Sequence, residues 1–341
     1  MAISKKAEQA REAARVRGKF GHQNHNESDV ELGADPRDAA HSRATPAEVL
    51  ATLAHNSDDD VRSGVAGNPG TPTGSLALLS EDEKLDVRWN VAANTNTPPE
   101  ILDALSSDSN VVRRAVAINR VSRPQTLGNL AVDNDWRVRA GAAGNPNTPK
   151  DALDALAGDT GISVRIYTGA NPNTSEQALE KLSKDPEGFV RQSVALNKDA
   201  PAHVLESLAR DERFRVRKTV ARNESASPHL LSRLSTDEHQ GVRANVAANP
   251  NTPAPVLERL GTEQDRWVRE QVAANPSAPP ASLDVLAADK YEHIRQDVAR
   301  NPSTPNKTLL ALTADKEESV RDTAKRALAR RQRTVAASDN N

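Results

Sequence analysis

The chain has no cysteine among its 341 residues, which excludes a disulfide framework, a cysteine nucleophile, a thiolate zinc site and a cysteine-held iron–sulfur cluster. Aromatics are nearly as scarce, at three tryptophans, two tyrosines and three phenylalanines. Net charge is missing too: 45 Lys and Arg stand against 47 Asp and Glu, so the chain does not coat DNA by charge alone. Leu, Val, Ile and Phe together make up only about 19% of the residues, a level that favours disorder when net charge is high, which here it is not. A single globule of this length would need one large core or two domains, and this composition fills neither. An architecture in which each segment buries a thin local layer fits better, and internal repeats are the way to build one. There is no apolar run for a membrane span and no signal-peptide core, so the expected location is cytoplasmic, without membrane contact.

The repeat emerges on aligning an arginine that follows valine or, once, isoleucine. Its copies are Arg62, Arg88, Arg113, Arg139, Arg165, Arg191, Arg217, Arg243, Arg269, Arg295 and Arg321, spaced by nine intervals of 26 residues and one of 25. Two leucines three apart precede every arginine, from Leu50 and Leu53 to Leu309 and Leu312, at the same offsets in all copies but the shortened third, where both are one residue closer. Six residues after it stands an asparagine, from Asn68 to Asn301, replaced in the eleventh copy by Ala327. The unit reads T-P-x-x-x-L-x-x-L-x-x-D-x-x-x-x-V-R-x-x-V-A-x-N-P-x. Thr45 is an expected N-cap with Pro46 at the first helical position, so the leucines share one face of a short helix A. Val61, Val65 and Ala66 form the stripe of a second short helix, B. Asn68 is expected in the left-handed conformation that ends a helix, and Pro69 turns the chain. Helices this short are unstable alone in water, so each unit must stack on its neighbours. The predicted fold is therefore an all-α solenoid of eleven two-helix units, with a contour on the order of 100 Å.

The units start at residues 45, 71, 97, 122, 148, 174, 200, 226, 252, 278 and 304. Residues 1–34 read as a basic N-terminal arm and linker, residues 35–329 as the solenoid opened by a half-repeat at Asp35 and Pro36, and residues 330–341 as a helix end and polar tail. Loss of the asparagine at Ala327 lets the last helix run on through Arg330, Arg331 and Arg333 as a polar cap.

These motifs, nearly intact from Leu257 to Pro279, resemble the leucine-rich repeat variant family of bacterial proteins. The resemblance covers about residues 45–329. It implies a right-handed superhelix of alternating α and 3₁₀ helices, related to HEAT and armadillo solenoids, and leaves open which type the second helix adopts. The best-known member carries an iron–sulfur cluster on an added cysteine-bearing segment, which a chain without cysteine cannot hold. In HEAT solenoids Asp–Arg pairs form a ladder linking successive repeats. Here Asp82 and Arg88, Asp133 and Arg139, and six further pairs lie six residues apart, Asp108 and Arg113 lie five apart, and Glu263 and Asn56 occupy the acid position in two copies. Arginines present in every copy beside an acid read as structural, each fork satisfying a carboxylate and loop carbonyls. The asparagines read the same way, since a catalytic amide is not needed ten times.

Function is then sought where copies differ. Positions one, two and five after the arginine should point away from the buried stripe and line the concave face. The first of these rows runs Ser63, Trp89, Arg114, Ala140, Ile166, Gln192, Lys218, Ala244, Glu270, Gln296, Asp322. Trp89, Arg114, Ile166 and Lys218 in this row, with the adjacent Tyr167, are the partner-binding candidates. A basic run of Arg210, Arg213, Arg215, Arg217, Lys218 and Arg222 encloses Phe214, in a pattern that suits single-stranded nucleic acid or an acidic peptide. Asp211 and Glu212 dilute it, and a solvated edge is the simpler account. Trp136, Phe189, Trp267 and Tyr291 recur before the Val-Arg pair and read as loop packing. His22 and His25, near Glu27 and Asp29, are conceivable metal ligands, but no repeat fixes their geometry.

No nucleophile motif or phosphate-binding glycine loop occurs. The expectation is a non-enzymatic protein-interaction scaffold without a catalytic, metal or cofactor site. The rival reading is a nucleic-acid-binding or base-repair solenoid, with weak nucleic-acid affinity expected mainly in residues 1–20.

Overall fold

The computed structural model describes residues 35–338, with side chains described as far as Arg333. The N-terminal arm, its histidines and the last residues of the tail lie outside them. Among the described residues there are 23 α-helices and no strand. The A helices have seven residues, as in Ala47–Leu53, and the B helices nine, as in Asp59–Gly67. Both kinds are α-helical, so the α and 3₁₀ alternation implied by the resemblance is not found among the described residues. Pro36–His41 serves as the expected half-repeat, packed on the first B helix. At the other end Glu318–Ser338 runs on through Arg330, Arg331 and Arg333. None of the described helices is long and apolar enough to cross a membrane.

Two local expectations are corrected. Thr45 does not cap helix A: Pro46 holds the cap position, and the threonine hydroxyl donates backwards to the Ala39 carbonyl. Thr97 and Thr304 repeat this, each donating at 2.6 Å to a carbonyl six residues back. The buried threonine thus closes the end of the preceding B helix rather than opening the next A helix. Where serine replaces the proline, at Ser175 and Ser227, its hydroxyl does cap, accepting an amide hydrogen at 3.1 Å. The asparagines are not left-handed either. From Asn68 to Asn301 they are extended, with φ between −65° and −79°, and no described residue, glycine included, has positive φ.

The asparagine side chains explain the difference. Asn94 Nδ2 donates to the carbonyls of Ala66 and Asn68 in the preceding unit at 2.8 and 2.9 Å, and its Oδ1 accepts the Asn96 amide at 2.9 Å. Each asparagine therefore satisfies C-terminal carbonyls of the previous B helix that would otherwise be buried without partners. An extended backbone aims the amide at them.

Leucines, valines and alanines of the motif are buried along the whole array. B helices pack on successive B helices, whereas successive A helices barely meet. The alanine after the second valine allows this close approach: a Cβ built at Gly64 would lie 2.9 Å from Ala40 Cβ, and one at Gly141 3.0 Å from Ala117 Cβ. A stack close-packed in one layer and open in the other bends toward the close layer, so the B helices line the inner side. The buried apolar layer divides into two clusters that meet in unit five, where Thr168 and Gly169 stand in place of the usual Val-Ala.

Candidate functional site

The arginine ladder sets the geometry of the inner layer. Arg62 Nε and Nη2 donate to Asp82 at 2.6 and 3.2 Å, while Nη1 donates to the carbonyls of Asn56 and Ser57 at 2.9 and 3.2 Å. Every arginine from Arg62 to Arg295 is held by the acid 20 residues ahead, in the next unit. The six-residue pairing is thus corrected: the aspartate six residues back offers its main-chain carbonyl, and its carboxylate belongs to the arginine of the unit before. That carboxylate also accepts a loop amide, as Asp82 Oδ1 does from Lys84 at 2.9 Å. The shortened third unit keeps the ladder, with Arg88 on Asp108 and Arg113 on Asp133 both at 2.6 Å. Glu263 serves Arg243 in the same way. Arg321, with no following unit, is bonded to its own loop carbonyls.

The electrostatics follow from this geometry. Hydrogen bonds from Arg88 and from Arg295 are the largest influences on Asp108 and Asp315, and hold both carboxyls below the usual range. At Asp82, Asp133, Asp159, Asp237 and Asp289 burial is the largest single influence and acts upward. Arginine and amide hydrogen bonds, with the nearby positive charge, together outweigh it and leave these groups depressed too.

With the repeated groups committed, the variable surface is the solvent face of the B helices. The row one after each arginine reaches forward to the row two after the next. Ser63 accepts from Asn90 at 2.8 Å, and Gln192 meets Thr219 at 3.2 Å. Of the expected partner residues, Trp89 is 40% and Tyr167 51% exposed, and Arg114 and Lys218 are exposed as well. Ile166 departs from expectation: it is half-buried, packed against the second apolar cluster. Ala140 is buried.

The row two before the arginine shares the solvent face and was missed. It carries Val111, Phe189 and Trp267, while Ile118 and Leu196 occupy the row five after; all five are exposed. The signal was there in the 100° helical step, which puts those two rows side by side. Phe189 and Trp267 therefore lie on B helices and face solvent, contrary to the loop-packing expectation, and Trp136, which opens its B helix and is 43% exposed, departs from it as well. Tyr291 does pack on the core.

The basic run is divided: exposed Arg210 and Arg213 precede the B helix Phe214–Arg222, and the rest falls into three groups. Arg217 is in the ladder on Asp237 at 2.7 Å. Phe214 is stacked on His239, with ring centroids 3.8 Å apart and planes within 8°. Arg215, Lys218 and Arg222 project from the B face with no ion pair among the described residues. Beside them lies a recess of about 430 Å³ over unit eight, where small Gly241, Ala244 and Ala248 lie between Lys218 and Trp267, with Asn245 and Gln271 at its rim. Unit four is small too at Ala140, Gly141 and Gly144, but it carries Arg137 where unit eight has Gly241, and Tyr167 leans over its Gly144. On the outer layer His203 Nε2 lies 2.7 Å from Glu180 and Nδ1 3.7 Å from Glu176, a cluster of metal-ligand types that no motif announced. Each ring nitrogen faces a different carboxylate.

Three stretches of the chain, residues 136–160, 241–265 and 266–290, match the family model described as leucine rich repeat variant. No curated protein matches. Among solved structures the chain is similar to a leucine-rich repeat variant with a novel repetitive protein structural motif, at 24% identity over 65% of this chain and 88% of that one, with a TM-score of 0.48. It is also similar to an engineered protein, at 18% identity over 86% and 93% of the two chains with a TM-score of 0.33. A third likeness is to importin beta in an ammonium sulfate condition, at 13% identity over 86% and 48% with a TM-score of 0.34.

Proposed function

We propose that this chain, three stretches of which match the leucine rich repeat variant model, is a non-enzymatic scaffold whose B-helix face docks another protein. The observation that carries this reading is an asymmetry of exposure. On the B face Trp89, Val111, Ile118, Tyr167, Phe189, Leu196 and Trp267 are each at least 40% exposed. On the A helices the corresponding residues are only Leu78, Val285 and Leu310, and these are scattered. Bulky apolar groups held in water on one face of a regular array are the usual anchors of a protein partner. The repeated polar groups support the non-enzymatic part: arginine, acid, asparagine and threonine are bonded to one another or to main chain, which leaves no recurrent group poised for chemistry. Nucleic acid is the weaker reading, because Phe214 is covered by His239 and the ladder arginines are already paired.

The test is affinity purification of the tagged full chain from its native host, compared with Trp89→Ala/Tyr167→Ala. Loss of one or more proteins, with an unchanged circular dichroism melt, is the expected result. An identical set of captured proteins contradicts the assignment of the face.

A further inference from the structure

We propose that the recess over unit eight is the anchor point for an acidic, aromatic-bearing segment of the partner protein, with a carboxylate at Lys218 and a ring against Trp267. This rests on the reading of the B face as a docking surface, and it names the chemistry of what docks. The argument begins with charge. From unit three to unit eight the four solvent rows of the B helices carry Arg114, Arg137, Arg215, Lys218 and Arg222 and no carboxylate. Acids return only outside this span, at Asp60 and Asp86 before it and at Glu270, Asp297 and Asp322 after it. In a chain with an overall charge of −2, a one-signed inner strip is a local feature that an acidic partner complements.

The recess itself comes from a gap in side-chain size. The forward-reaching row puts Lys218 toward unit eight, where it meets no acid. The backward-reaching row of unit nine supplies Gln271, His239 stands on the near side, and Trp267 forms the far wall, 51% exposed with the Arg266 guanidinium 5.7 Å from its ring centroid. Glu270 reaches the other way, toward His293 at 3.9 Å, so it does not neutralise the site. The site thus offers one unpaired cation, one flat apolar wall and an uncommitted amide at Gln271. A peptide answers all three, with a carboxylate, a ring and main-chain groups that both donate and accept. A nucleic-acid strand would want further free aromatic faces at regular steps and more cations, because its phosphates recur at every nucleotide.

The test pans a random dodecapeptide phage library on the full chain and measures the synthetic consensus peptide by fluorescence anisotropy, with (dT)20 as a parallel probe. Enriched sequences should place Asp or Glu within two residues of Trp, Phe or Tyr. Binding should weaken about tenfold or more with Lys218→Glu, and separately with Ala248→Leu, which fills the recess from an exposed position. Lys184→Glu, outside the B face, should leave it unchanged. Peptides whose binding falls with Trp89→Ala/Tyr167→Ala but not with either recess variant would overturn this proposal and leave the docking face standing. No enriched peptide, or tighter binding of (dT)20 than of the consensus peptide, would overturn both.

Discussion

At the scale of single residues the array is held by two side-chain ladders that run between units. Arg191 spans the contact between units six and seven: Nε and Nη2 donate to Asp211 at 2.5 and 3.0 Å, and Nη1 to the Asp185 carbonyl at 2.8 Å. Its side chain is only 12% exposed. Replacing it with Met leaves Asp211 and the loop carbonyl poorly satisfied, and should cost roughly 2 to 4 kcal/mol in chemical denaturation. Lys184→Met, at an exposed loop position, should cost little; equal losses at the two would mean that the ladder contributes nothing. A second expectation concerns pH. A carboxyl depressed in the folded state contributes stability that is complete above its unfolded value, near about 4, and is lost as pH falls through the folded value. Asp108, Asp133, Asp159 and Asp315 are all depressed, so the melting temperature should fall as pH drops below about 4. An Asp133→Asn variant should melt lower than the parent at neutral pH and lose less on acidification. Sequence alone found every ladder arginine, because the period exposes them. It misassigned their partners, because an acid six residues back and one 20 residues ahead are the same repeat position, and only the stacking decides which is near.

Among the elements, unit five is the one that departs from the rule. Its B helix, Ile162–Ala170, has Thr168 where others have valine or alanine, and the Thr168 hydroxyl donates at 2.9 Å to the Val164 carbonyl of its own helix. The two apolar clusters meet at this point, so local opening should begin there. Amides of Val164 to Gly169 should exchange faster than those of Val216 to Ala221, the matching segment of unit seven. Thr168→Val should slow their exchange and stabilise the protein by up to about 1 kcal/mol. Uniform exchange across the two segments would remove unit five as a weak point. The helices themselves were legible from leucine and valine spacing. Their ends were not: threonine, proline and asparagine suit several cap geometries, and Thr97 and Asn94 are bonded in ways that only the neighbouring helix determines.

On the scale of the whole molecule, the two layers divide the work. The A layer closes the outside, and the B layer presents an apolar strip in units two to six, then a basic step and a recess in units seven to nine. The existence of a variable face was legible in the sequence, as were Trp89 and Tyr167 on it. The strip was only half legible, because Val111, Phe189 and Trp267 lie before the arginine and look like loop residues until the first turn of helix B is placed. Ile166 went the other way, from an expected surface anchor to a half-buried packing residue. The most direct test of the docking face is site-specific photo-crosslinking in the native host, with benzoylphenylalanine placed either at Phe189 on the B layer or at Val285 on the A layer, positions 60% and 55% exposed. Discrete crosslinked protein bands from position 189 and none from position 285 are the expected result. Equal capture from both positions, or capture from position 285 alone, would contradict a docking function for the B face.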